Sequence, residues 1–284
     1  MSMTINDDID LSAVRYVALA VRNSDGDFQI ASSDDGFILT TDYLLSVGMN
    51  KVPGHNKLRT FGQRTGLSTA ATGDDVWEGT ATTIPIPAAA GEQMTIVSTS
   101  VNDTAGGTGV QSVDVMYLDD SGNVQTEVRA LNGTTPVNTV VTNIRFINAF
   151  HSEATGTGGM AAGTISIYRT GDATRVYSVL TPGGNRALTC TMMVPVGKTF
   201  YCDSFCTSGA SGKPLSVRFR ATCTEESELT DFFLYKDVVF IQDSSHVHHF
   251  KIPLVFPALT IVKVTVFSSQ VGGAASAAMS GWYE

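Results

Sequence analysis

The sequence predicts an all-β protein: two antiparallel β-sandwich domains of jelly-roll type, preceded by an N-terminal strand and arm segment. Residues 102–167 show the pattern best, because short runs rich in Val, Ile, Thr and Tyr alternate with clusters of Gly, Asn, Asp and Ser at even spacing. Only 16% of the 284 residues are charged, and long runs of Ala, Leu, Glu and Lys at helical period are missing. A chain of this length can form two domains that each bury a core.

Breaks in the pattern give the domain boundaries. We predict an N-terminal attachment segment and extended arm at residues 1–75, a first β-sandwich at 76–180 and a second β-sandwich at 181–284. The run TPGGN at 181–185 marks the boundary between the two sandwiches, because it favours a turn and ends a strand. Residues 48–75 have turn residues throughout and no period of their own, as in a functional arm or a linker.

The arm is interpreted as lying across a neighbouring subunit, with Phe61 as its apolar anchor and three basic side chains that pair with acids. Two aromatic residues near the C-terminal end are further candidates for a subunit contact. The predicted oligomer and attachment contacts are Lys57, Arg59, Phe61, Arg64, Trp282 and Tyr283. A flexible linker is the open alternative for the arm, because Gly, Ser and Thr serve linkers equally well.

Alternating apolar and polar residues predict the individual strands. Val113, Val115 and Tyr117 share one face of a strand, and DDSGN at 119–123 supplies the turn into a second strand. In residues 215–223, four alternate residues from Leu215 to Ala221 face inward, and Arg218 and Arg220 lie on a solvated face. The other predicted strands cover residues 15–22, 27–31, 83–87, 93–100, 140–150, 163–169, 175–180, 188–195, 199–207, 232–241, 246–252 and 260–268.

Charge and cysteine usage limit the partners and the compartment. A net charge of −9 disfavours sequence-independent binding of nucleic acid or an anionic membrane, because both need clustered Lys and Arg. No apolar run reaches the roughly 18 residues of a spanning helix, and the polar, acidic start differs from a secretory signal. We therefore predict synthesis in a cytoplasm.

The cysteines lie in apolar strand contexts, which indicates reduced thiols: Cys190, Cys202, Cys206 and Cys223.

No pattern in the sequence predicts catalysis, and we expect no catalytic, cofactor-binding or metal-binding residues and no cofactor. His246, His248 and His249 are the strongest metal candidate, since alternate strand positions share a face, but the segment is better interpreted as an ordinary strand. Adjacent acids, as in Asp74-Asp75 and Asp119-Asp120, are expected to point apart into water rather than face each other across a cleft.

Several motifs together resemble structural proteins of tailed phages, especially those of aquatic bacteria. The motifs are NDTAGGTG at 102–109, YLDDSGN at 117–123, LNGTTPVNT at 131–139, PGH at 53–55, FG at 61–62 and DDVW at 74–77. The resemblance covers residues 52–167 and, more loosely, the C-terminal half, where TMMVPVGKTFYCDSF at 191–205 resembles the opening of a second sandwich. It does not extend to the residues before 52.

The resemblance implies a component of a phage virion and transfers no catalytic residue. We expect a protein that decorates or cements the capsid or builds a tail or fibre appendage, and that is no enzyme. Its expected partners are its own copies, as a homotrimer, and the major capsid or tail proteins, with no nucleic acid and no membrane. Alternatives are a receptor-binding or carbohydrate-binding module that uses Tyr168, Trp282 and Tyr283, and a polysaccharide hydrolase.

Overall fold

The computed structural model describes residues 20–22, 28–30, 47–49, 52–210, 212–222 and 233–284. The chain forms two compact units, Met1–Met49 and Asn50–Glu284. In the first unit, strands β1 (Ala20–Arg22) and β2 (Phe28–Ile30) pair antiparallel, with Ala20 opposite Ile30. Both strands fall within segments that the sequence predicts as strands.

The second unit is built from antiparallel strands, which confirms the all-β, antiparallel prediction. No helix in the described parts of the chain is long and apolar enough to cross a membrane. The strands are β3 (Asn56–Thr65), β4 (Asp74–Asp75), β5 (Met94–Ser98), β6 (Val110–Leu118), β7 (Val124–Ala130), β8 (Val137–Asn138), β9 (Phe146–Thr155), β10 (Ile165–Arg169), β11 (Asp172–Leu180), β12 (Thr191–Met193), β13 (Phe200–Ala210), β14 (Leu215–Thr222), β15 (Phe233–Ile241), β16 (Ser245–Phe256), β17 (Ile261–Ser268) and β18 (Ala274–Tyr283).

Two of the sheets enclose the larger core, and we call them the second sheet pair. One has the strand order β3-β18-β13-β16, and the other has the order β12-β17-β14-β15, with β4 added against β17. Both sheets contribute to one buried cluster that includes Phe200, Phe205, Phe219 and Phe256. From β12 to β18 the chain changes sheet at every connection except the hairpin between β14 and β15.

Two further sheets, the first sheet pair, enclose a smaller core. Their strand orders are β8-β5-β10-β11 and β7-β6-β9. Val113, Val115 and Tyr117 are buried on the inner face of β6, and β6 pairs with β7 from Leu118 opposite Val124. The predicted hairpin is therefore confirmed. This pair does not repeat the strand order of the second sheet pair, because the hairpins β6–β7 and β10–β11 each stay within one sheet.

One buried carboxylate, that of Asp103 in the NDTAGGTG motif, fastens the loops at one end of the first sheet pair. Its two oxygens accept hydrogen bonds from Ser98 Oγ at 2.6 Å and from the backbone nitrogens of Val110 at 2.8 Å, Ala162 at 2.9 Å and Gly163 at 2.8 Å. Asp103 is fully buried. The NDTAGGTG motif thus has an architectural role in this structure.

The two sheet pairs are joined by a small apolar cluster and by one amide side chain. Leu118 and Phe146 of the first pair pack against Met193 and Ile261 of the second pair. Asn148 on β9 donates from Nδ2 to the Met193 carbonyl at 2.9 Å and accepts from the Met193 nitrogen at 2.9 Å. The side chain of Asn148 therefore pairs with the backbone as a neighbouring strand would.

The predicted extended arm differs from the structure. Strand β3 pairs along its whole length with β18, from Asn56 opposite Tyr283 to Thr65 opposite Ala274, and β4 pairs with β17. Residues 56–75 thus belong to the second sheet pair of their own chain. Strands β5 to β11 of the first sheet pair fall within residues 76–180, and β12 to β18 fall within residues 181–284, so the structure departs from the predicted division at β3 and β4.

The adjacent acids Asp74 and Asp75 do point apart, as predicted, but they do not lie in water, because both are fully buried. Asp74 accepts from the nitrogen and the hydroxyl of Ser68 at 2.7 and 2.5 Å. Asp75 lies 2.9 Å from Lys263 Nζ and accepts from Thr265 Oγ1 at 3.1 Å. Each carboxylate is therefore satisfied by a separate set of donors. Two further pairs of adjacent acids in the sequence, Asp34-Asp35 and Glu225-Glu226, lie outside the described residues.

Candidate functional site

The outer face of the sheet that contains β14 and β15 carries an unusual set of side chains. Residues of β14 alternate, so Leu215, Val217, Phe219 and Ala221 are buried, as predicted. The register then places Arg220 opposite Tyr235 and Arg218 opposite Val238. We call this surface the aromatic–arginine face. It consists of Arg218, Arg220, Phe233, Tyr235, Val238, Phe240 and Phe267.

The two arginines of this face are stacked on aromatic rings. Arg218 Cζ lies 3.7 Å from the centre of the Phe267 ring and 4.8 Å from that of Tyr235, and Arg218 Nη1 donates to the Tyr235 hydroxyl at 2.6 Å. Arg220 Cζ lies 5.6 Å from the Phe233 ring and 5.4 Å from Tyr235. Stacking restricts both guanidinium groups, so less side-chain entropy is lost if they contact a partner.

Three members of the face are open to solvent. Phe240 is 78% exposed, Tyr235 is 54% exposed and Val238 is 41% exposed. In the opposite sheet, β16 also exposes Ile252 at 83% and Val247 at 57%, apart from this face. A concentration of exposed aromatic and branched side chains marks an interaction surface, whereas apolar residues exposed singly need no explanation. Tyr, Phe and Arg are also the residue types enriched at protein interfaces.

A groove of about 580 Å³ separates the two sheet pairs. Its apolar wall includes Leu58, Met116, Val124, Ala149 and Met192, and its polar rim includes Lys57, Arg59, His151, Asn185 and Arg186. The basic side chains come from β3 and from the segment that follows the first sheet pair. The groove therefore combines an apolar floor with positive charge.

One group of possible metal ligands lies beside this groove. Among the described residues, Asp114, His151 and Glu153 form the group in which three ligand atoms all lie within 4.8 Å of one another. His151 Nε2 is 3.6 Å from Asp114 Oδ2. The register explains the grouping, because Asp114 on β6 is the direct partner of His151 on β9.

The predicted contact residues lie in different environments in the structure: some are exposed on an edge strand, and others are buried in contacts within their own chain. Lys57, Arg59 and Phe61 are exposed along β3, an edge strand, and Arg186 Cζ lies 5.2 Å from the Phe61 ring centre. Arg64 is 6% exposed, with its Nε 3.6 Å from Asp74 Oδ2, and Nη1 donates to the Gly79 carbonyl. Arg64 is therefore engaged within its own chain.

The C-terminal aromatics also serve the chain's own sheet. Trp282 is 6% exposed and stacks on Tyr201 with ring centres 5.4 Å apart. Tyr283 packs edge-on against Phe200 at 5.7 Å, and burial raises the pKa of its hydroxyl. The surface predicted to stack on a sugar ring is thus closed at Trp282. A subunit contact through the exposed residues of β3 stays a prediction.

The histidine segment forms part of strand β16, as the preferred interpretation had it. His248 Nδ1 lies 2.6 Å from Asp237 Oδ2, and the His248 ring is 4.6 Å from that of Phe250. His246 lies 6.1 Å from His248 between ring centres. These residues do not form a group of three converging ligands in the described part of the chain, whereas Asp114, His151 and Glu153 do.

Sequence reasoning missed the aromatic–arginine face because it treated Arg218 and Arg220 as solvated. Both side chains are half-buried under rings. A signal was present, since the predicted strand at 232–241 carries Phe233, Tyr235 and Phe240, and a hairpin with β14 brings them beside the arginines. Only the register decides which residues become neighbours.

Comparisons with known proteins add little. No family model matches the chain, and no curated protein matches it. Among solved structures, that of infectious bursal disease virus Gx strain is similar at 8% identity and a TM-score of 0.15, over 86% of this chain and 81% of that chain. A TM-score this low carries no argument about fold or function. The resemblance to phage virion proteins therefore stays a prediction based on sequence motifs.

Proposed function

We propose that the protein is a structural component of a tailed-phage virion that assembles as a homotrimer through the aromatic–arginine face. It decorates or cements the capsid, or forms part of a tail or fibre appendage. Its role is to supply surface and shape, and no catalytic residue is assigned. The sequence motifs support the assignment to a phage virion, and the exposed aromatic–arginine face supports assembly through that surface.

The strand order of the second sheet pair supports a jelly roll, and we include this fold in the proposal. Eight strands, β3 and β12 to β18, form two four-stranded sheets, and all their connections cross between the sheets except the β14–β15 hairpin. A jelly roll combines two Greek keys in this arrangement, and it is frequent in viral capsid and lectin domains. The first sheet pair fits a smaller β-sandwich with a different topology. Since fold alone does not give function, the surface carries the argument.

The single observation that carries the proposal is the exposure of Phe240, Tyr235 and Val238 beside stacked arginines. Burial of one exposed Phe favours association by about 1.5 to 3 kcal/mol. Such side chains are costly to leave in water on a protein that remains a monomer. A second copy or another virion protein would cover them, and the ordered arginines would supply directional contacts at the rim.

The test measures the mass of the purified protein's oligomer in solution. Static light scattering is expected to give three times the chain mass of 30.1 kDa for the wild-type protein. Phe240→Asp should reduce the mass to that of one chain, because the substitution places a charge in the interface. Val140→Asp is the matched control, since Val140 is 72% exposed on the first sheet pair. A monomeric wild type, or a Phe240→Asp variant that keeps the trimer, would refute this mode of assembly.

The place on the particle needs a second experiment. Antibody raised against the purified protein should label virions in electron micrographs. Label over the head supports capsid decoration, whereas label at one vertex supports a tail or fibre component. Purified particles that lack the protein altogether would overturn the virion assignment, even if the trimer is observed.

A further inference from the structure

We propose that Asp114, His151 and Glu153 bind a zinc ion on the outer face of the β6–β9 strand pair. Asp114 and His151 are direct partners across the two strands. Glu153 lies two residues beyond His151 on β9, so both side chains leave the sheet on one side. Two residues at alternate positions on one strand and one residue opposite them give three ligands on a single face.

A β-bulge adjusts the third ligand. Ser152 pairs with Val113 and Ala154 pairs with Ser112, so Glu153 has no partner on β6. A bulge of this kind changes the direction of a side chain and is frequent next to functional sites. Here the ligand atoms of Asp114, His151 and Glu153 converge to within 4.8 Å of one another.

The distances suit a small cation. Zinc binds histidine nitrogen and carboxylate oxygen at about 2.0 to 2.2 Å, so two of its ligands lie about 3.3 Å apart in a tetrahedron. His151 Nε2 and Asp114 Oδ2 are 3.6 Å apart, close to that value. Glu153 is exposed and can approach by rotation of its side chain. Two of the three ligands therefore stand in place.

An unsatisfied oxygen points to the same site. Asp114 Oδ1 is buried and has no hydrogen-bond partner among the described residues, although the side chain of Asp114 is 17% exposed as a whole. Buried carboxylate oxygens are normally satisfied, so an orphaned one calls for a ligand. A cation held by Asp114 would supply the missing interaction.

The donor set decides between metals. One imidazole and two carboxylates match zinc, whereas calcium and magnesium favour sites made of oxygen alone. Three protein ligands leave a fourth position open, as in zinc sites that take a water or an external ligand. His151 also lines the groove between the sheet pairs, so an anionic group in the groove could reach this position.

Metal titration tests the proposal with zinc as the probe. The full-length protein, treated with a chelator and dialysed, should bind one zinc ion per chain in calorimetry, and zinc should raise its melting temperature. His151→Gln should lower the zinc affinity at least tenfold. His249→Gln is the matched control, because His249 is an exposed histidine on β16, and it should bind as the wild type does.

A second variant separates loss of the site from loss of folding. Glu153→Gln changes an exposed side chain, so the fold is expected to persist while zinc affinity falls. Calcium at the same concentration should leave the melting temperature unchanged. Absence of zinc binding by the wild type, or equal affinity in wild type, His151→Gln and Glu153→Gln, would overturn the proposal.

Discussion

Single side chains carry much of the architecture, and Asp103 is the clearest case. Four donors from three separate segments of the chain converge on its two buried oxygens. Hydrogen bonds to a charged acceptor are stronger than those between neutral groups, and each buried donor that loses its partner adds a desolvation cost. The aspartate of the NDTAGGTG motif therefore holds the loops together at this end of the first sheet pair.

Asp103→Asn is expected to destabilise the protein by about 3 kcal/mol or more, since the new amide NH₂ would face backbone donors. Urea unfolding followed by fluorescence measures the change. Asp120→Asn, at an exposed position in the β6–β7 turn, is the control and should unfold at nearly the wild-type midpoint. Equal midpoints for the two variants would contradict the role given to Asp103.

The buried thiols predict a dependence of stability on pH. Burial is the main cause that raises the pKa of Cys202 to about 12, and burial also raises that of Cys190. An ordinary thiol in the unfolded chain loses its proton near pH 9, whereas the folded state keeps it. Stability is therefore fully present below pH 9 and falls as the pH rises to about 12, by up to about 1.4 kcal/mol per pH unit for each thiol.

The measurement is the urea midpoint at pH 8, 9, 10 and 11. Cys202→Ala removes one of the titrating groups, so its midpoint should fall less steeply above pH 9 than that of the wild type. A midpoint that is flat, or that falls equally in both proteins, would count against this account. Below pH 9 the urea midpoint should depend on pH in the same way for the wild type and for Cys202→Ala.

At the scale of elements, the sequence predicts strands well where one face is apolar and poorly where it is not. The inward residues of β14 follow an apolar alternation and were predicted correctly. Strand β3 was missed because its buried positions are Thr60, Gly62 and Arg64, which carry no apolar signal. Thr60 donates to the Thr189 carbonyl, and Arg64 pairs with Asp74, so this strand is held by polar contacts.

Gly62 explains why β3 lacks larger residues. A Cβ atom there would lie 2.4 Å from the Val76 carbonyl oxygen and 2.5 Å from the Cys190 nitrogen. Both neighbours are backbone atoms that cannot rotate away. The close approach of β3 to these segments therefore requires glycine, and a sequence pattern cannot display a contact between distant segments.

Gly62→Ala is expected to destabilise the protein by about 2 kcal/mol or more through overpacking. Thermal unfolding monitored by circular dichroism measures the loss. Gln63→Ala, the exposed neighbour on the same strand, should change the melting temperature little. If Gly62→Ala melts at the wild-type temperature, the backbone approach is looser than described.

At the scale of the whole molecule, two cores share one compact unit. Phe219 packs against Phe205 and Phe256 in the second sheet pair, with ring centres 5.6 and 5.8 Å away. Ile167 belongs to the core of the first pair. The sequence predicts that there are two cores, but it cannot reveal that β3 and β4 join the later one, because that pairing spans the intervening first sheet pair.

Phe219→Ala should therefore affect the two cores unequally. A Phe→Ala change in a core costs about 3 to 5 kcal/mol, and amide hydrogen exchange should accelerate in β13, β14 and β17 more than in β6 and β10. Ile167→Ala should give the converse pattern. Uniform acceleration across both cores in either variant would mean that the unit opens as a whole.

The pairing of β3 with β18 bears on how the chain acquires its fold during translation. Ribosomes synthesise the polypeptide from its amino end, so every strand of the first sheet pair is made before β12. That pair can close before the second pair is complete, whereas β3 has no partner strand until β18 is made. The nascent protein thus carries an unpaired β3 until β18 has been made, and it is most open to chaperones or wrong partners during this interval.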